Sequence, residues 1–297
     1  NGTLINYGLI ESFSLQDNLI NETVTNDGKI AIRDGARLWV SGSTITGTGP
    51  IEIDDAATLV VQNTTIDGGT ISNDNSNGTI WLAGGGRLKD GSVSNSGLLQ
   101  AEDASNSLDN EIVTNGGTIE VLSNSALTID QGSIIKGGGT IEVDQGPFSA
   151  TLTLNGATID GNGVTNKSGS TIALTGAAAL KHGTLGNSGQ LKVSGTGNAL
   201  DKETITNTGT IEVQGHGALT IDQVSTLDNT GGGQVTVDGN GLLTLNATTV
   251  SKGTVTNSGE TDLTGSAVLQ QGSLGNSNQI KVSGTGNALD KETITNT

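Results

Sequence analysis

Apolar and polar residues alternate along most of the chain in runs of three to five, and an asparagine-glycine turn sits at the head of many of these runs. The stretches TNDGKIAI, SNSGLLQA, TNGGTIEV, GNSGQLKV, TNTGTIEV and TNSGETDL share this plan. Period-two alternation bounded by Asn and Gly is the pattern of short strands with one face buried. It puts Ile119, Val121, Leu127 and Ile129 inside, and likewise Ile211, Val213, Leu219 and Ile221. Glu120 and Glu212 then face outward, as do Trp39 between Leu38 and Val40, and Trp81 between Ile80 and Leu82. A register slip of one residue would reverse every one of these assignments.

The turns keep a beat. Asparagines at 166, 187, 207, 229, 257, 276 and 296 are separated by 21, 20, 22, 28, 19 and 20 residues. Strands this short bury too little as separate hairpins, but stacked as successive coils they enclose a core. The pattern therefore predicts an all-β, right-handed parallel β-helix (β-solenoid) with about 20–22 residues per coil, each strand pairing with its counterpart one coil away. The handedness is taken from the crossover rule for parallel strands. Asparagines at one corner of successive coils are expected to form a hydrogen-bonded ladder, with glycine supplying positive φ beside them. An array of antiparallel Ig-like sandwiches is the alternative; it accounts for a period near 90 residues but not for the beat near 20.

The longer period is visible in landmarks. Asn6-Tyr7-Gly8 corresponds to Asn95-Ser96-Gly97 and then to Asn187-Ser188-Gly189, at offsets of 89 and 92, and Asn21-Glu22 corresponds to Asn110-Glu111. KVSGTGNALDKETITNT occurs verbatim at Lys192–Thr208 and Lys281–Thr297. The reading is one continuous solenoid over residues 1–297, four coils per repeat, with repeat units at about 5–93, 94–185 and 186–274 and a partial one at 275–297. A verbatim coil cassette without recognisable end caps predicts that the solenoid continues in both directions, within a longer parent chain or by end-to-end stacking.

Composition narrows the function. The 297 residues include 47 Gly but only 2% aromatics, no Cys and no Met, and carry a net charge of −17. Scattered Lys and Arg at that charge argue against nucleic acid and against anionic membrane surfaces. No run approaches the roughly 20 apolar residues that span a bilayer, so no membrane insertion is expected in this segment. Without cysteine there are no disulfides and no thiolate chemistry.

The phrases GTIEV, ALTID, TLTLNGATIDG and TVTNSG resemble the repeats of giant bacterial surface and secreted adhesins of the filamentous-haemagglutinin-like and autotransporter-like kind. The resemblance covers the whole chain as a texture and transfers no site residue. It implies a secreted, extracellular or cell-surface stalk or filament, with biofilm-matrix or adhesive duty in other parts of the parent protein. The partners it implies are flanking repeats or neighbouring copies, and cell-surface glycans.

Parallel β-helices also house polysaccharide-degrading enzymes, whose chemistry needs convergent carboxylates. Asp54 and Asp55, with Glu52 nearby, are the adjacent carboxylates that glycoside chemistry would need; the corresponding coil keeps Glu142 and Asp144 but not the pair, so they read as a solvated acidic face. His182 and His216 read as variable turn residues. Calcium is the one ion the composition raises. Asp109, Asp201 and Asp290 recur only once per repeat, too far apart to share an ion, and the Asn73–Gly78 stretch holds one carboxylate where calcium loops use several. No catalytic residue, cofactor or metal site is therefore assigned. Trp39 and Trp81 are the candidate exposed contact residues, for a glycan or a neighbouring rod, against the plainer reading that they pack under a local side chain. The function expected is a stiff structural stalk or filament, with a carbohydrate-binding or polysaccharide-degrading β-helix as the alternative.

Overall fold

A computed structural model describes residues 2–144, 146 and 148–297, and all regular structure among them is β. Three short strands make one turn, and every strand pairing is parallel, so the fold is a β-solenoid of three parallel sheets. The chain divides into two compact units, one running to Leu152 and the other from Thr153 to Thr297.

The first unit opens with Gly2–Asn6, Leu9–Ser12 and Asp17–Ile20. Glu22–Asn26, Lys29–Ile32 and Arg37–Ser41 lie on these in register. The pattern repeats as far as Ala126–Asp130, Ile134–Lys136 and Thr140–Val143, which makes seven turns among the described residues. In the second unit the strands from Thr158–Asp160, Gly163–Asn166 and Thr171–Thr175 to Gln279–Val282, Ala288–Asp290 and Thr293–Asn296 stack in the same way. Turn length varies more here, because Leu242 pairs with Glu260 but Val213 with Val237. Additional residues loop out between strands, as at 229–233, without disturbing the register.

Alternation decides what is inside. Ile119, Val121, Leu127, Ile129, Ile211, Val213, Leu219 and Ile221 are all fully buried, while Trp39, Trp81, Glu120 and Glu212 alternate outward and are half-buried. The duplicated cassette separates the effect of sequence from that of stacking. Val193, Leu200 and Ile205 are 0–1% exposed, yet their verbatim counterparts Val282, Leu289 and Ile294 are 61%, 42% and 50% exposed. Burial comes from the turn that lies over the cassette, and each such aliphatic side chain contributes roughly 1.5–3 kcal/mol when covered.

The asparagines form ladders inside the wall. Asn73 donates from Nδ2 to Asn95 Oδ1 and Asn95 to Asn115, both at 2.9 Å. In the second unit Asn166, Asn187, Asn207 and Asn229 are linked at 2.7, 2.8 and 2.9 Å, and Asn257, Asn276 and Asn296 at 2.7 and 2.6 Å. The backbone of the same residue does a second job: the Asn95 carbonyl accepts from both Gly116 N at 2.8 Å and Gly117 N at 2.9 Å. The expectation of a positive-φ glycine holds after Asn166, where Gly169 has φ of 82°, and after Asn229, where Gly231 has φ of 90°, but fails at other corners. Gly117 and Gly209, which follow the corner, do not have positive φ; a Cβ on either would collide with the carbonyl oxygen of the glycine one turn below, Gly97 or Gly189. Glycine is required there by close approach of two backbones.

The ladders also change corner. Asn6 closes the strand Gly2–Asn6, Asn95 closes Ser92–Asn95, Asn187 closes Thr184–Asn187 and Asn276 closes Ser273–Asn276, each thirteen strands after the last. At three strands per turn, a repeat of about 90 residues spans four full turns and one further strand. Within each unit, equivalent residues of consecutive repeats therefore fall in different sheets, Asn6 and Asn95 in the first and Asn187 and Asn276 in the second. In the first unit Gly2–Asn6 pairs with Glu22–Asn26, whereas Ser92–Asn95 lies between Thr70–Asn73 and Ile112–Asn115 in a different sheet. The interval of 28 residues between Asn229 and Asn257 is one turn plus one strand.

Candidate functional site

The outward tryptophans lie in one column of the first unit. Arg37–Ser41, Thr58–Gln62 and Thr79–Ala83 are consecutive five-residue strands in one sheet, and their register aligns Trp39, Val60 and Trp81. The indole rings lean toward each other over the intervening turn, with centroids 6.4 Å apart at 52°. Val60 points outward between them, yet is fully buried. Trp39 Nε1 donates to Gln62 Oε1 at 3.0 Å, and the Arg37 guanidinium carbon lies 5.9 Å from the Trp81 ring centroid, within the range of a cation–π contact. Trp81 Nε1 is buried without a hydrogen-bond partner. The two rings thus pack on each other and under a long side chain, forming an aromatic clasp on the outer face. Only their outward direction was legible from alternation; their convergence over Val60 was not, because they are separated by two turns.

The carboxylates near Asp54 do not converge. Asp54 pairs with Arg33 at 3.3 Å, Glu52 with Lys29, and Asp55 accepts from Asn77 Nδ2 at 2.9 Å. The adjacent pair therefore reaches in opposite directions, one to the preceding turn and one to the following turn. An open cleft of about 300 Å³ lies beside them, lined by Glu52, Ile53, Asp54, Ser72, Asp74 and Asn75. In the Asn73–Gly78 stretch, Asn73 is committed to the interior ladder and donates to Gly78 O at 3.1 Å, while Asp74 accepts from Ser72 and Ser94. Among the described residues no three His, Asp or Glu side chains are arranged to hold a metal ion. His182 and His216 both sit in turns with positive φ. His182 Nδ1 is 2.8 Å from Asp160 Oδ1.

Two glutamates that belong to no recognisable motif are more unusual. Glu111 and Glu203 occupy one position of the repeat and are each 3% exposed. Each carboxylate accepts the N–H of a glycine one turn below, Gly91 at 3.1 Å and Gly183 at 3.0 Å. Each backbone N–H donates to a serine hydroxyl one turn above, Ser133 and Ser225, both at 2.9 Å. One residue thus ties three turns together. Burial pushes both carboxyls up to about 7, against the opposing effect of the glycine N–H. The signal in the sequence was a glutamate recurring at one place of the repeat, in Asn21-Glu22, Asn110-Glu111 and Lys202-Glu203, where the residue before it varies.

No protein-family model matches the chain, and no curated protein matches it. Among solved structures it is similar to the crystal structure of a TibC-catalysed hyper-glycosylated fragment of TibA comprising residues 55–350. That likeness has 18% identity and a TM-score of 0.35, covering 97% of this chain and 99% of that one.

Proposed function

We propose that the chain is a structural segment, a stiff stalk or filament, of a bacterial extracellular adhesin or surface fibre. The observation that carries this reading is the sameness of the wall within each unit: strand lies on strand in parallel register on all three faces. A turn can be added to such a wall without altering the turns already there, and a cassette written twice verbatim fits that use. The resemblance of the repeats to those of giant surface proteins supports an extracellular setting. Flanking repeats or neighbouring copies stacked end to end are the partners in this reading, and no catalysis is assigned. Inserting a second copy of residues 94–185 is the test. Electron micrographs should record a particle longer by roughly 20 Å, four and a third turns at 4.7–4.9 Å each, and of unchanged width. Unchanged length with greater width contradicts the proposal.

A second reading, glycan contact at the aromatic clasp, is favoured by the two half-buried indole rings converging on the outer face, 6.4 Å apart between centroids. Glycan-array retention lost in both Trp39→Ala and Trp81→Ala supports it; an array without retained glycans leaves the structural reading alone.

A further inference from the structure

The buried glutamates belong to a larger arrangement that occurs in both units. In the first unit, paired register stacks Asp67, Lys89, Asp109 and Asp130 in one column. In the second it stacks Asp160, Lys181, Asp201 and Asp222. Each column ends in two aspartates on adjacent turns, about 4.8 Å apart along the axis, and Glu111 or Glu203 lies beside the first of the two. Asp109 is 3% exposed. Glu111 Oε2, Asp130 Oδ1, Asp201 Oδ1 and Asp222 Oδ1 are buried without hydrogen-bond partners. In each corner two of the three carboxyl groups hold an oxygen closed off from water and from donors, Glu111 and Asp130 in the first and Asp201 and Asp222 in the second, and the third lies beside them, so a proton in the corner stabilises the fold more than a further charge does.

We propose that these two corners, Glu111 with Asp109 and Asp130, and Glu203 with Asp201 and Asp222, are proton-binding latches that tighten the stacking of turns in acid and loosen it toward neutral and alkaline pH.

The charges facing each latch come from every turn packed on it. Around Glu111 these are Asp67 two turns below, Arg87, Lys89 and Asp90 one turn below, Asp109 on its own turn and Asp130 above. Arg87 pairs with Asp109, and Lys89 bridges Asp67 at 3.0 Å and Asp90 at 2.7 Å. These cations are thus committed to the aspartates and leave the glutamate surrounded by negative charge. Around Glu203 lie Asp160, Lys181 and His182 below, Asp201 beside it and Asp222 above. Ala179 stands in register where the first corner has Arg87, so no guanidinium faces this aspartate pair. Burial, followed by the neighbouring Asp109, pushes Asp130 up to about 6. Burial, followed by Asp201, raises Asp222 as well.

The sign follows from proton counting. Between 4.5, the ordinary glutamate value, and about 7 the folded chain holds protons that the unfolded chain has released. Stability is therefore full below the unfolded value, falls as pH rises through this window and is flat above it. Each glutamate raises the unfolding equilibrium constant on the order of a hundredfold across the window.

The test is chemical denaturation of the whole chain at pH 5 and pH 8. The unaltered protein should unfold at lower denaturant at pH 8, and Glu111→Gln with Glu203→Gln, which retain an acceptor for the glycine N–H, should abolish most of that difference. As an independent readout on the unaltered protein, carbon-13 titration of glutamate carboxyls should give two resonances with inflections near 7. A midpoint that does not fall from pH 5 to pH 8, or an undiminished pH dependence in the double variant, overturns the proposal. So do glutamate inflections confined to the ordinary range. Calcium chloride in place of a chelator should leave the pH 8 midpoint unchanged; restoration of the pH 5 value by calcium would identify a cation site instead of a proton latch.

Discussion

Asn187 donates from Nδ2 to Asn207 Oδ1 at 2.8 Å and to the Thr210 carbonyl at 3.1 Å, while its own Oδ1 accepts from Asn166 at 2.7 Å. All four groups lie in or against the wall, where an unpaired amide has no water to turn to. Asn187→Ala is expected to cost about 2–6 kcal/mol, since it leaves a buried donor and a backbone acceptor unsatisfied at about 1–3 kcal/mol each. Equilibrium unfolding in urea measures it. A loss under about 0.5 kcal/mol, the scale of an ordinary surface substitution, would mean the ladder is decorative.

Close approach, and not φ, demands glycine at Gly117, and Gly138, which has neither constraint, is its control. Gly117→Ala puts a Cβ into the backbone of Ser96 and Gly97 one turn below, which has no flexible end to move. It should destabilise by more than about 2 kcal/mol, as overpacking against rigid neighbours does. Gly138 has open space around it and ordinary φ, so Gly138→Ala should be neutral or stabilising by up to about 1 kcal/mol through the unfolded chain. Thermal melts of the two variants side by side decide the matter, and equal effects would refute it.

Val224 has φ of 68° and is 77% exposed. A β-branched residue is strained in the left-handed region, and the equivalent position of the preceding repeat is Gly132, with φ of 80°. Val224→Gly should therefore stabilise the protein by about 0.5–1 kcal/mol, the strain relieved exceeding the added entropy of the unfolded chain. Denaturant midpoints measure the change, and a loss of stability would show that Val224 makes a contact worth more than its strain.

Much of this architecture was legible in the sequence because a solenoid turns a local pattern into a global one. The alternation Ile119-Glu120-Val121 determines which side chain is inside, and the same alternation one turn later builds the sheet. The asparagine ladder was legible for the same reason. Its migration between corners was not, because a beat of 20–22 residues and a repeat of about 90 look commensurate until strands are counted. The tryptophan clasp and the proton latches stayed hidden for a related reason. Trp39 and Trp81 are about 40 residues apart and Asp109 and Asp130 about 20, and only the stacking register brings them together. The role of Gly117 was hidden too, because a sequence marks a glycine without saying whether φ or proximity demands it.

The parallel register itself is tested most directly by distances along one outward column. Glu11, Ala31, Glu52, Ser72, Ser94, Thr114 and Lys136 follow one another turn by turn in the first unit. The chain has no native cysteine, so spin labels can be placed at Glu11→Cys paired in turn with Ser94→Cys, Thr114→Cys and Lys136→Cys. Dipolar electron resonance should return separations of roughly 19, 24 and 29 Å, an increment of about 4.8 Å for each added turn. Separations that fail to rise in equal steps, as in an array of antiparallel sandwiches, would contradict the account.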